Sequence, residues 1–115
     1  MTDRLSAAEF LAAAPSGWTA DEAVAQARFE TGTFAAGVGL VVAIGRLADE
    51  ANHHPDVLLR YRDVTVTLTT HDVGGLSPRD VALARAIDDT ARSLLAGNYA
   101  SLPLCSASPS GRGVA

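Results

Sequence analysis

Aromatic side chains are scarce in this chain, at 5% of 115 residues, although 48% of the residues are hydrophobic. Its core must therefore be built mainly from alanine, valine and leucine. A core so light in large side chains gains from burying further apolar surface in an oligomer. There is no cluster of basic residues, and the formal net charge is −4, which argues against a nucleic-acid binder working through an electrostatic footprint. The single cysteine, Cys105, excludes an internal disulfide and fits a reducing compartment. Long hydrophobic runs are missing too. The longest, Val38 to Ile44, falls well short of the roughly 20 residues that span a bilayer. No basic segment followed by an apolar one opens the chain, so no secretory signal is expected and a soluble cytoplasmic protein is the default. The length suits one domain with one core.

What is present begins with a helix start. Ser6 as N-cap and Glu9 three positions into the helix form a capping box, with Leu5 and Phe10 placed as a hydrophobic staple. Pro15 should end this helix. Ser16-Gly17 then turns the chain into Trp18, the only tryptophan, which is expected to anchor the core. Asp21-Glu22 is the expected turn between a short strand near Trp18 and a second strand, in which Ala25, Ala27 and Phe29 alternate with polar residues.

Thr33 is placed to cap a helix over Phe34–Ala51. Its apolar stripe is Phe34, Val38, Val41, Ile44, Leu47, Ala48 and Ala51, widened by Leu40 and Val42. A helix this apolar is expected to pack on two sides, the second against another subunit. Gly37, Gly39 and Gly45 do not form a dinucleotide fingerprint, since position 42 is Val42 and no βαβ unit surrounds them. Close helix packing is their expected role.

Val57–Tyr61 and Val64–Thr70 read as the strands of a hairpin joined by Arg62-Asp63. That register sets Tyr61 against Val64, Leu59 against Val66 and Val57 against Leu68, and its extension brings His54 near His71. After the Gly74-Gly75 turn, Ser77-Pro78-Arg79-Asp80 opens a last helix with Ser77 as N-cap and Asp80 at its third position. Val81, Ala84, Ile87, Ala91, Leu94 and Leu95 form its expected buried stripe, and Gly97 its stop. Residues 98–115 turn to Ser, Pro, Gly and Ala and read as a flexible tail beyond a single domain of residues 1–97. Cys105 lies in that tail with no basic or histidine neighbour to activate it. The order is α-β-β-α-β-β-α, an α+β fold with a four-stranded antiparallel sheet and three helices packed on one face.

All three histidines, His53, His54 and His71, fall where the hairpin meets the helices. Three readings compete for them. They can be ordinary polar residues at element ends. They can hold a metal, His53 or His54 with His71 and a carboxylate from Asp49, Asp72 or Asp80, although adjacent histidines point in different directions. Or they can be acid–base catalysts, since histidine titrates near neutral pH and a group of them can hold a donor and an acceptor together. No serine or cysteine is arranged as a nucleophile, so proton transfer, addition–elimination or isomerisation is favoured over acyl transfer.

The spacing of Asp49, His53, His54, Pro55, Tyr61, His71 and Asp80, with the run LTTHDVGGLSPRD, resembles the pterin-4a-carbinolamine dehydratase family. Weaker agreement at Trp18, Phe29 and Phe34 extends the resemblance over about residues 5 to 97. It implies dehydration of a 4a-hydroxytetrahydropterin to the quinonoid dihydropterin, which recycles the pterin used by aromatic amino-acid hydroxylases. The resemblance also implies that no metal or dissociable cofactor takes part. By it, His53 and His54 are donors near the leaving hydroxyl and His71 is a base or positioning residue, with Asp49, Pro55, Tyr61 and Asp80 lining the substrate site. Asp80 already has a structural job as a helix cap. Asp49, near a helix C-terminus, is electrostatically unhelpful there, which favours a role in the pocket.

This sequence departs from the family at Val57, where an aromatic residue, usually Trp, is common. Some branches of the family act as protein partners instead: a dimerisation cofactor of a transcription factor, or an assembly factor for a carbon-fixing enzyme. The chain keeps all three histidines, which favours the enzyme over a non-catalytic module. A homodimer or homotetramer is expected from the broad apolar helix and from the resemblance.

Overall fold

The computed structural model of the chain describes residues 4–95. Gly97, Cys105 and the expected tail lie outside them. Seven elements follow in the order read from the sequence: α1 (Ala7–Ala13), β1 (Thr19–Ala20), β2 (Ala25–Glu30), α2 (Phe34–Ala51), β3 (Asp56–Leu59), β4 (Asp63–Leu68) and α3 (Pro78–Leu94), with a 3-10 turn at His71–Val73. The strands form one antiparallel sheet in the order β1-β2-β4-β3.

Each boundary has a local cause. The Ser6 hydroxyl accepts from Glu9 N and the Glu9 carboxylate accepts from Ser6 N, so two of the orphan amides at the start of α1 are satisfied. Ala14, before Pro15, is extended and ends that helix. The β1–β2 turn closes on Asp21, whose carboxylate accepts from Ala23 N and Val24 N. Those two amides, Val24 first, hold the Asp21 carboxyl below the usual aspartate range.

One sheet face is polar and the other is core. Ala25, Ala27 and Phe29 of β2 and Val64, Val66 and Leu68 of β4 are buried together with Phe10, Leu40, Ile44, Ala84 and Ile87 from the three helices. Trp18 anchors this core as expected, edge-on to both Phe10 and Phe29 at 6.2 and 6.3 Å between ring centroids.

Several expectations are corrected. In α2 the buried line is Gly37, Leu40, Ile44 and Ala48, while Phe34, Val38 and Ala51 are exposed. The inward face includes Gly37, where a Cβ would meet Leu59 Cδ1 at 2.7 Å. The glycine thus lets α2 settle on the sheet. Gly39 and Gly45 face open space and have no such role. In α3, Leu94 is exposed and Leu83 takes its place in the core.

The hairpin register also differs. Leu59 pairs with Val64 and Val57 with Val66, two residues away from the expected pairing. Arg62-Asp63 is poorly suited to a two-residue turn. The chain uses Arg60-Tyr61-Arg62 instead, closed by Arg60 N donating to Asp63 O. A slip of two keeps every side chain on its expected face, whereas a slip of one would have inverted them. It also means that an extended ladder would set position 54 opposite 69, not His71.

Candidate functional site

Helix α2 ends at Asn52, which adopts the left-handed conformation (φ 51°, ψ 44°) that asparagine tolerates better than most residues. Its amide donates to Ala48 O and Asp49 O, and His53 N donates to Ala48 O. The chain then leaves the helix extended, so the two adjacent histidines diverge. His53 is buried and His54 is exposed.

Each histidine meets a different carboxylate. His53 Nε2 lies 2.6 Å from Asp80 Oδ1, a contact in which both groups are buried. His54 Nε2 lies 3.0 Å from Asp49 Oδ1 at the surface. A carboxylate on Nε2 keeps that nitrogen protonated and leaves Nδ1 to exchange a proton elsewhere. Asp49, a poor residue for the C-terminal turn of a helix, is thus matched to a histidine.

Asp80 joins the two ends of the site. Its Oδ2 accepts from the Thr70 hydroxyl at 2.7 Å and from Ser77 N at 3.0 Å, the second bond closing the capping box of α3. Its other oxygen remains for His53. The cap alone therefore does not explain the His53 contact. Asp80 is fully buried, and three donors offset the cost of taking it out of water.

His71 opens the 3-10 turn that follows Thr70. Its ring is exposed and has no hydrogen-bond partner among the described residues. Asp72 beside it accepts from Arg79 Nη2 at 3.0 Å, clasping the turn to the first turn of α3. The Arg79 hydrogen bond and charge hold the Asp72 carboxyl below the usual aspartate range, with a smaller contribution from His53 across the site. Sequence reasoning named Asp72 only as a possible metal ligand and missed Thr70 and Arg79. Arg79's spacing from Asp72 was the available signal.

Pro55 is half-buried directly after the pair. Tyr61 stands apart. It is 68% exposed at the hairpin tip, with the Arg62 guanidinium 5.9 Å from its ring centroid. His54 and Tyr61 lie beyond opposite ends of β3, whose four residues alone span about 13 Å. Within one chain the structure does not bring Tyr61 to the histidines. Nor does His71 join His53 or His54 at a shared carboxylate, the arrangement of the metal reading, and no group of three or more His, Cys, Asp or Glu among the described residues is placed to hold a metal ion.

An α+β domain whose helix ends carry carboxylate-backed histidines is the class that fold and site define. Its affiliation follows from direct comparison. Residues 2–90 match the model of the pterin 4 alpha carbinolamine dehydratase family, and the chain belongs to that family. It is 42% identical over 91 residues, 79% of this chain and 99% of the other, to a Natronomonas pharaonis protein named "Putative pterin-4-alpha-carbinolamine dehydratase". Among solved structures, a transcriptional coactivator/pterin dehydratase from Brucella melitensis superposes with a TM-score of 0.71 at 28% identity, over 76% of this chain and 98% of that one. A pterin dehydratase-like protein described as a RuBisCO assembly factor in the alpha-carboxysome shares the fold, with a TM-score of 0.54 at 23% identity over 64% of this chain and 86% of the other. No helix among the described residues is long and apolar enough to cross a membrane.

Proposed function

We propose that the protein eliminates water from a 4a-hydroxytetrahydropterin to give the quinonoid dihydropterin, using its histidines as acid and base. The observation that carries this reading is the buried His53–Asp80 pair. A binding scaffold has no need to bury an aspartate against a histidine, because hydrophobic residues of similar volume would serve its stability as well or better.

In the reaction the C4a–O bond breaks and the hydroxyl leaves as water, which requires a proton. The N5–H proton is removed as the C4a=N5 bond forms, which requires an acceptor. His53 and His54 hold Nε2–H on a carboxylate, so the proton for the leaving hydroxyl comes from the Nδ1–H of one of them in its doubly protonated form. His71 has no internal partner among the described residues, so it is the residue assigned to the N5 proton. Pro55 lines the site, and no cofactor is called for by this proton chemistry. Tyr61 reaches a substrate only if a second subunit supplies it.

Self-association has its own support. Phe34, Val38 and Val42 stand at spacing four on α2 and are 49%, 41% and 49% exposed, an apolar ridge on a helix already packed on its other side. A second reading, a protein-binding module, draws on the same ridge and on the likeness to the Brucella melitensis transcriptional coactivator/pterin dehydratase. It makes no use of the histidines.

The deciding experiment measures dehydration of a freshly generated 4a-hydroxytetrahydropterin by wild type, His53→Ala and His71→Ala. Acceleration by wild type and its collapse in both folded variants is the expected result. Well-folded wild type that gives no acceleration would sink the reading.

A further inference from the structure

Thr70 is fully enclosed, yet it is a polar residue with contacts in two directions. Its hydroxyl has one hydrogen, and that hydrogen goes to Asp80 Oδ2 at 2.7 Å. The Ser77 hydroxyl, 2.8 Å away, must then donate to Thr70 Oγ1, and it accepts in turn from Arg79 N at 3.2 Å. The hydrogens therefore run one way. Arg79 N–H donates to Ser77, Ser77 to Thr70, and Thr70 to Asp80, whose other oxygen accepts from His53 Nε2. Bonds aligned head to tail in a dry interior reinforce each other. Thr70, Ser77 and Asp80 are each at most 1% exposed.

The backbone of Thr70 works on the other side. Its N–H donates to Gly75 O, and its carbonyl accepts from Val73 N and Gly75 N, which closes the turn that begins at His71. One residue thus holds both His53, through Asp80, and the segment presenting His71.

We propose that Thr70 is a positioning residue for the dehydration, its hydroxyl fixing the Asp80 carboxylate and hence the orientation of the His53 ring. This rests on the dehydratase reading above. Thr70 itself touches no substrate. Its effect should fall on the chemical step and leave substrate binding nearly unchanged.

The test uses Thr70→Val, which keeps the shape and deletes the hydroxyl, beside Thr70→Ser, which keeps the hydroxyl and deletes the methyl. Two readouts are taken: kcat and KM for the carbinolamine, and the downfield proton resonance of His53 Nε2–H. Thr70→Val should lower kcat about tenfold with KM changed less than about twofold, and the Nε2–H resonance should broaden through faster exchange with water. Thr70→Ser should restore both. If Thr70→Val keeps the wild-type kcat, or keeps an unaltered resonance, the proposal is overturned. It is also overturned if Thr70→Ser is as impaired as Thr70→Val, since packing of the methyl would then be the cause. Should Thr70→Val fail to fold, Ser77→Ala breaks the same chain one link earlier. Loss of kcat and faster Nε2–H exchange in that variant support the proposal, and wild-type values for both overturn it. An inactive wild type would defeat the dehydratase reading, whereas the resonance would still show whether Thr70 holds His53.

Discussion

Asp80 and His53, 27 positions apart in the chain, meet at 2.6 Å in the interior. Asp80 divides its two oxygens between a helix cap and a histidine. Replacing it should therefore affect stability and chemistry separately. Asp80→Ala leaves His53 Nε2, the Thr70 hydroxyl and Ser77 N without an acceptor, and should cost about 3 kcal/mol in urea unfolding. Asp80→Asn keeps one acceptor oxygen and should cost about half as much, while still lowering dehydration at least about tenfold.

Acid should release the Asp72–Arg79 clasp. The folded-state Asp72 carboxyl titrates below its ordinary value of 3.8. Its contribution is thus fully present above that value and is lost as pH falls through the lower folded one. Carboxyl carbon chemical shifts followed by NMR should give an Asp72 midpoint below 3.8, and Arg79→Ala should move it upward. An unchanged midpoint in the variant would show that the clasp is not the cause. Both side chains are well exposed, so the effect on global stability should be slight.

Gly75 is a position where volume is refused. A Cβ there would meet Glu22 O at 2.8 Å and the Arg4 side chain at 2.6 Å. Arg4 can swing away, but the Glu22 carbonyl belongs to the β1–β2 turn. Gly75→Ala should destabilise the fold by about 1–3 kcal/mol, read as a lower midpoint in thermal or urea denaturation.

The exposed ridge on α2 gives a solution prediction. If subunits meet there, sedimentation of wild type should report an oligomer, and Val38→Glu with Val42→Glu should shift it to monomer with the far-ultraviolet circular dichroism retained. An unchanged oligomer in the double variant would move the contact elsewhere.

Much of this was legible in the sequence because short-range rules govern it. The Ser6–Glu9 and Ser77–Asp80 boxes, the stop before Pro15 and the alternation through Phe29 depend on neighbours a few residues away. The inward line of α2 was less legible. Its apolar residues cover two faces, and the one that meets the sheet runs through Gly37, which an apolar pattern does not mark. The hairpin register was missed by two for a similar reason, since two slips present identical faces and the loop alone separates them.

At the candidate site, the resemblance named His53, His54, His71, Asp49 and Asp80, but not which of them would pair. That His53 would turn inward to Asp80 and His54 outward to Asp49 depends on the left-handed Asn52 and on where α3 begins. Thr70 carried no signal, because a threonine in a threonine-rich strand reads as sheet propensity. Tyr61, prominent in the motif, sits at the far hairpin tip.

Leu5 pairs with Leu76, and Arg4 reaches over Gly75 to the Glu22 carbonyl. The segment just ahead of Ser77 is therefore held by residues from the opposite end of the described chain. Closing loops of that length is a late and entropically demanding event in folding. On a ribosome, His53 would emerge and wait, and its buried partner would arrive only once residue 80 had been made and α3 could dock. The buried His53–Asp80 contact would then be among the last this protein acquires as it folds.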